Sequence, residues 1–203
     1  TQLGGSHSDK SIMTSVDYAE IADLSFKGDW DAIGVLMSQH ARKLQDAGAD
    51  MVVLCSNTIH LVSPSIVEAI AIPFLHIADA TAKAIKAKGL KTVGLLGTRF
   101  TMEKEFYIRI LEENYGIEVV VPELDGRVAV HDIIYDELVK GTITQPSKQK
   151  TIAVIEKLLA NGAQGIVLGC TELPLLIEQK DVKVPIFNTT LIHSQQAVEI
   201  ATT

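Results

Sequence analysis

The 203-residue chain is 47% hydrophobic and 21% charged, with a formal net charge of −7, so it can bury a sizeable core as one large domain or two small ones. The acidic balance argues against a general binder of nucleic acid or anionic membrane, both of which want a basic face, and no apolar stretch approaches the roughly 18–20 residues that span a bilayer. No charged-then-apolar leader precedes the first periodic segment, so a cytoplasmic location is expected, with both cysteines, Cys55 and Cys170, reduced and no structural disulfide.

In chain order, the patterning predicts a strand over 11–16, an amphipathic helix over 30–45, a strand over 51–55, a helix over 63–69, a short strand over 73–76 and a helix over 79–88 closed by Gly89. A second unit follows, with a strand over 92–96, a helix over 101–114 ending at Gly116 and a strand over 117–121. Helices over 127–140 and 147–160, a strand over 165–168, a short helix from Glu172, a strand over 184–187 and a last helix from Leu191 complete it. Strands alternating with helices predict α/β architecture: two Rossmann-like domains with parallel four-stranded sheets, 1–89 (with the helix 190–203 packing back on it) and 90–189.

The two halves share a local pattern. Gly48-Ala49-Asp50-Met51-Val52-Val53-Leu54-Cys55 matches Gly162-Ala163-Gln164-Gly165-Ile166-Val167-Leu168-Gly169-Cys170, and Ile72-Pro73-Phe74-Leu75 matches Val184-Pro185-Ile186-Phe187 in the same order. Two blocks in register point to duplication of one βα design. The second copy opens with a strand and helix from Thr92 that has no counterpart before position 11. The chain therefore reads as starting one βα unit late, with Thr1–His7 the tail of a helix and its loop.

Each cysteine ends an apolar run and is followed by small polar residues, and ligands of α/β sheets sit outside the carboxyl ends of the strands. A thiolate is a base toward carbon and a thiol is an acid. One on each side of a tetrahedral carbon can remove a proton from one face and deliver one to the other, inverting the centre. The carbanion between them needs strong stabilisation, for which the hydroxyls and amides around Asn57, Thr58, Thr98 and Thr171 are placed. Each cysteine also precedes a predicted helix, whose dipole favours thiolate. Against this stands the reading of two buried structural thiols. His60, His76 and His193 lack the close pairing of zinc ligands, so no metal is expected.

At these residues the chain resembles the aspartate/glutamate racemase family, the cofactor-independent amino-acid racemases with two cysteines. The resemblance rests on Val52-Val53-Leu54-Cys55-Ser56-Asn57-Thr58 and on Gly169-Cys170-Thr171-Glu172-Leu173-Pro174, and it extends through Phe74–Thr81 and Leu96–Met102. It is nearest to the aspartate and broad-specificity branch, because Glu172 stands where cell-wall glutamate racemases carry histidine. The resemblance implies two pseudo-symmetric domains with the active site in the inter-domain cleft, a homodimer, an amino-acid substrate and no pyridoxal phosphate. It carries over Cys55 and Cys170 as the two acid/base residues, and Asn57, Thr58, Thr171 and Thr98 as substrate contacts.

Other positions admit two readings each. Glu172 either orients the thiol or receives the substrate ammonium, or it only balances a helix dipole. His193 and His60 either face the site or are ordinary buried or capping histidines. Asp17 is either a side-chain selector or a cap, and Arg99 either a partner for a second carboxylate or a solvated loop arginine. Lys86, Lys88 and Lys91 read as a solvated face. Competing functions on the same scaffold are a maleate cis-trans isomerase, which also uses two cysteines, an arylmalonate decarboxylase, which uses one, and a non-catalytic amino-acid-binding module.

Overall fold

The computed structural model describes Ser6 and residues 10–203, so the tail expected over Thr1–His7 lies, apart from Ser6, outside the described residues. Two compact units divide the chain. Among the described residues, one comprises the chain up to Leu54 together with Leu61–His76 and Ala197–Thr203; the other comprises Cys55–His60 and Ile77–Gln196.

In the first unit, helix α1 (Tyr18–Lys27) and helix α2 (Trp30–Asp46) precede strand β1 (Val52–Val53), helix α3 (Ser63–Ala69) and strand β2 (Phe74–Leu75), with β1 and β2 parallel. The expected strand over 11–16 is not formed. Ile12 and Met13 are 50% and 87% exposed, so the apolar residues that signalled a buried strand bury little, and the segment leads into α1 instead. That helix has the capping its sequence provides: the Asp17 carboxylate accepts from Ala19 N at 3.0 Å, and Gly28 closes it at φ 75°.

The second unit begins with helix α4 (Ile77–Ala87) and strand β3 (Thr92–Gly97), and continues with α5 (Arg99–Glu103), α6 (Glu105–Arg109), β4 (Glu118–Val120), α7 (Leu124–Asp132), α8 (Gln145–Ala160), β5 (Ile166–Gly169), α9 (Leu173–Leu176), β6 (Ile186–Asn188) and α10 (Thr189–Ala201). Its four strands form one parallel sheet in the order β4-β3-β5-β6. Side chains alternate between two cores: Val93, Leu95 and Val167 pack with Ile77, Ile85, Tyr107 and Leu111 on one face. Leu96, Ile166 and Leu168 pack with Val130, Ile134, Ile155 and Leu158 on the other. A parallel sheet buried on both faces explains the nearly continuous apolar strands. The single helix expected over 101–114 is instead broken, because Lys104 is extended (φ −90°, ψ 137°) and residues Ile110–Asn114 form a π turn. No residue of poor helix propensity marks that break.

The internal duplication is visible in the backbone. Gly48 and Gly162 take positive φ of 90° and 97° after their helices, and the strand that follows makes the same bond in each copy, Val52 N to Pro73 O and Ile166 N to Pro185 O, both 2.9 Å. β3 and β5 approach closely at their carboxyl ends, where Gly97 pairs with Gly169. A Cβ on Gly97 would stand 2.8 Å from Gly169 O and 3.0 Å from Thr101 Cβ. Gly97→Ala is expected to destabilise the protein by about 1–3 kcal/mol through this overpacking, read as a lowered melting temperature; an unchanged melt would contradict the close approach.

Candidate active site

In the order β4-β3-β5-β6 the chain runs outward from β3 to β4, then returns to the other side of β3 with β5. The reversal lies between β3 and β5, and such switch points open a crevice outside the carboxyl ends of the strands. Thr98 follows β3 and Cys170 follows β5, directly beyond the paired Gly97 and Gly169.

Cys55–Ser56–Asn57–Thr58 is fastened over this edge on both sides of β5. Thr58 Oγ1 lies 2.9 Å from Thr98 Oγ1 and 3.3 Å from Thr101 Oγ1, joining the end of β3. Asn57 Nδ2 donates to Thr189 Oγ1 at 3.0 Å, just past β6. β5 lies between those two strands, so the segment carrying one cysteine is tied on either side of the strand that ends in the other. Cys55 is exposed and Cys170 buried, and both are free thiols.

The bonds also fix the orientation of Asn57. The single hydroxyl proton of Thr189 is committed to Leu168 O at 2.8 Å, so Thr189 must accept from Asn57, and the amide nitrogen faces it. Asn57 Oδ1 is then the end turned away from Thr189. It is buried without a hydrogen-bond partner, on a side chain only 3% exposed. Unpaired buried acceptors are costly and rare.

Cys170 Sγ donates to a Glu172 carboxylate oxygen at 2.9 Å, and Thr171 Oγ1 donates to the same oxygen at 2.6 Å. Burial pushes the Cys170 thiol up from its ordinary value, and the charge of Glu172 and its hydrogen bond push it further. Backbone amides of Glu172 and Leu173 oppose this without reversing it. The expectation that the following helix favours thiolate at Cys170 is therefore corrected: α9 is a single turn, and desolvation beside a carboxylate outweighs it. Glu172 thus stands in hydrogen-bond contact with the thiol.

Four further residues stand as follows. Asp17 is the cap of α1. Arg99 places Nε and Nη2 on Glu103, at 3.1 and 3.3 Å, and the same Glu103 lies 3.8 Å from Arg127. His193 is 4% exposed, its ring centroid 5.8 Å from that of His60 in an edge-on arrangement. Thr101 and Thr189 were not singled out in the sequence; each follows a strand of the second sheet within four residues, the same signal that marked Thr98. Among the described residues no cluster of three or more His, Cys, Asp and Glu is placed to hold a metal ion, and no helix is long and apolar enough to cross a membrane. Cavities of about 200 and 450 Å³ lie elsewhere, under Gly126 and beside Lys88 and Lys183, and neither is lined by a cysteine.

A doubly covered parallel sheet with a thiol and a carboxylate at its switch point defines an α/β protein with acid/base groups at the carboxyl edge. The whole chain is similar to a crystal structure from Yersinia pestis provisionally described as an Asp/Glu racemase, at 49% identity and a TM-score of 0.93 over 100% of this chain and 88% of that one. The chain belongs to the Asp/Glu/hydantoin racemase family, whose model matches residues 1–197, and so to a family of isomerases. An aspartate racemase homologue from Pyrococcus horikoshii is 34% identical with a TM-score of 0.82, over 95% of this chain and 83% of that one. The broad specificity amino-acid racemase RacX of Bacillus subtilis is 29% identical over 174 residues, 84% of this chain and 73% of that protein. The glutamate racemase of Actinobacillus pleuropneumoniae is 28% identical over 137 residues, 67% of this chain and 50% of that protein, so the chain spans about half of its length.

Proposed function

We propose that the protein is an amino-acid racemase that inverts the α-carbon with Cys55 and Cys170 as its two acid/base groups and without pyridoxal phosphate. The observation that carries this reading is the Cys170–Glu172 pair at the switch point. It is a thiol held as S–H with a carboxylate in hydrogen-bond contact, on the strand end bracketed by the Cys55 segment.

In this reading one thiolate abstracts the α-proton and the opposite thiol returns a proton to the other face. Cys170, protonated before substrate arrives, starts as the acid, and the base of that half-reaction is Cys55. Each inversion leaves the two sulfurs with exchanged protonation, so repeated turnover in one direction needs a reset, in which the exposed Cys55 gives its proton to solvent and Cys170 takes one from solvent, passed through the carboxylate of Glu172. Asn57 Oδ1 accepts from the substrate ammonium, and Thr58, Thr98, Thr171 and the amides after Cys170 meet the carboxylate whose charge grows as the carbanion forms. The reading extends to aspartate, glutamate or a broad set of amino acids as substrates, to a homodimer, and to a reducing compartment such as the cytoplasm, where free thiols persist.

Proton NMR of the protein with single enantiomers of aspartate, glutamate and several neutral amino acids in D₂O, with no cofactor added, tests it. Loss of the α-proton signal with appearance of the opposite enantiomer is the expected result and names the substrate. Absence of exchange with every amino acid offered would overturn the reading in favour of an isomerase of unsaturated acids or a binding module.

A further inference from the structure

One histidine beside the site is built into the backbone on both sides of its ring. His60 is fully buried. Ile77 N donates to its Nε2 at 3.1 Å, and its Nδ1 lies 2.5 Å from Ser56 O. A backbone N–H can only donate, so Nε2 carries no proton. In the neutral ring the proton therefore sits on Nδ1 and is given to the Ser56 carbonyl. A second proton on Nε2 would face the Ile77 N–H donor to donor, so this contact admits one tautomer.

The bonds continue inward with one polarity. Thr81 Oγ1 donates to Ile77 O at 2.8 Å, and Tyr107, fully buried, donates its phenol to Thr81 at 3.0 Å. The sequence Tyr107, Thr81, Ile77, His60, Ser56 thus links the packed side of the sheet to the Ser56–Asn57 peptide, one residue from Cys55. Both sets of bonds meet at Ile77, one on its C=O and one on its N–H, and together anchor that residue; a reacting group held to a fraction of an ångström is what proton transfer to carbon requires.

We propose that His60 is a positioning residue for Cys55: an Nδ1–H imidazole that fixes the Ser56–Asn57 peptide against the amide of Ile77, so that the exposed thiol is borne on a strut rooted at Tyr107. The proposal rests on the reading of Cys55 as an acid/base group. It names a role distinct from that of an ordinary buried histidine, which would affect both thiols alike.

The test compares the unaltered protein with His60→Leu, which removes both bonds, and His60→Gln, which keeps a donor and an acceptor. Wash-out of the α-proton in D₂O is followed for each enantiomer. The enantiomer whose wash-out survives in Cys170→Ser is the one served by Cys55. In His60→Leu that wash-out is expected to fall on the order of 10- to 100-fold, as a displacement of about 1 Å can cost, while the other is largely kept and His60→Gln recovers part of the loss. Equal loss for both enantiomers would overturn the proposal. Nitrogen-15 NMR of the unaltered protein is expected to show Nδ1 protonated and Nε2 bare; an Nε2–H tautomer would overturn it without any variant needing to fold. If no amino acid is exchanged at all, the racemase reading fails separately. Amide hydrogen exchange then decides the strut: Ile77 and residues 55–60 should exchange faster in His60→Leu while β3 and β5 do not, and unchanged or uniformly faster exchange would overturn it.

Discussion

Cys55→Ser and Cys170→Ser are each expected to lower racemisation by on the order of 10³-fold or more, the scale of losing one acid/base partner outright. A hydroxyl is too weak an acid and, ionised, too rare at neutral pH to replace either sulfur. The informative part is what survives. Because two enantiomers are equal in free energy, kcat/KM must be the same in both directions for any variant, so racemisation rates alone cannot tell the sulfurs apart. Wash-out into D₂O can, since it needs only one thiol and solvent. Each single variant should retain wash-out of a different enantiomer. Serine at 170 keeps a donor for the carboxylate that now receives Cys170 Sγ at 2.9 Å, so loss of activity there would not reflect a misfolded edge. Near-normal racemisation by either variant, followed by chiral chromatography, would end the two-base scheme.

Glu172→Gln is expected to lower kcat about 100-fold at neutral pH, the loss typical of one general base, with KM changed far less. The sign of its pH dependence is fixed by the causes at Cys170. Burial raises the thiol, and the charge and hydrogen bond of Glu172 both raise it further. Glutamine removes the charge, so the Cys170 thiolate forms at lower pH in the variant than in the parent even though its proton acceptor is gone. The rise of wash-out through Cys170 with pH is therefore expected to begin at lower pH in Glu172→Gln than in the parent, and a rise displaced to higher pH would contradict the assigned causes. A kcat unchanged at neutral pH would show that the carboxylate only balances the short helix behind it.

Strands β3 and β5 were legible because each is a short apolar run ending in Gly97-Thr98 or Gly169-Cys170, and a parallel sheet buried on both faces leaves that mark. The duplicated Gly-Ala-strand-Cys element was legible for the same reason, down to the glycines at positive φ. What the residues did not disclose was mostly set by tertiary context. The exposure of Ile12 and Met13 depends on what lies beside them, and helix α1, starting at Tyr18, was missed because Asp17, its cap, was read as a residue at the end of a strand over 11–16. At the candidate site, Cys55 and Cys170 stood out by position. The local dipole argument pointed the wrong way for Cys170, because burial beside Glu172 is a property of the folded edge and not of the four residues that follow. His60 could be noticed in the sequence, but its tautomer could not, since the amide that sets it lies seventeen positions away.

The unpaired acceptor on Asn57 sets stability against usefulness. A buried carbonyl oxygen with no donor forfeits about 1–3 kcal/mol, a large share of the margin by which a folded domain survives, whereas an apolar residue of similar shape would leave nothing unsatisfied at that atom. Selection for heat resistance alone would accordingly push position 57 away from asparagine. In the racemase reading that cost is offset when a substrate ammonium donates to Asn57 Oδ1, which would make the resting protein the less stable of its two states through a single side chain.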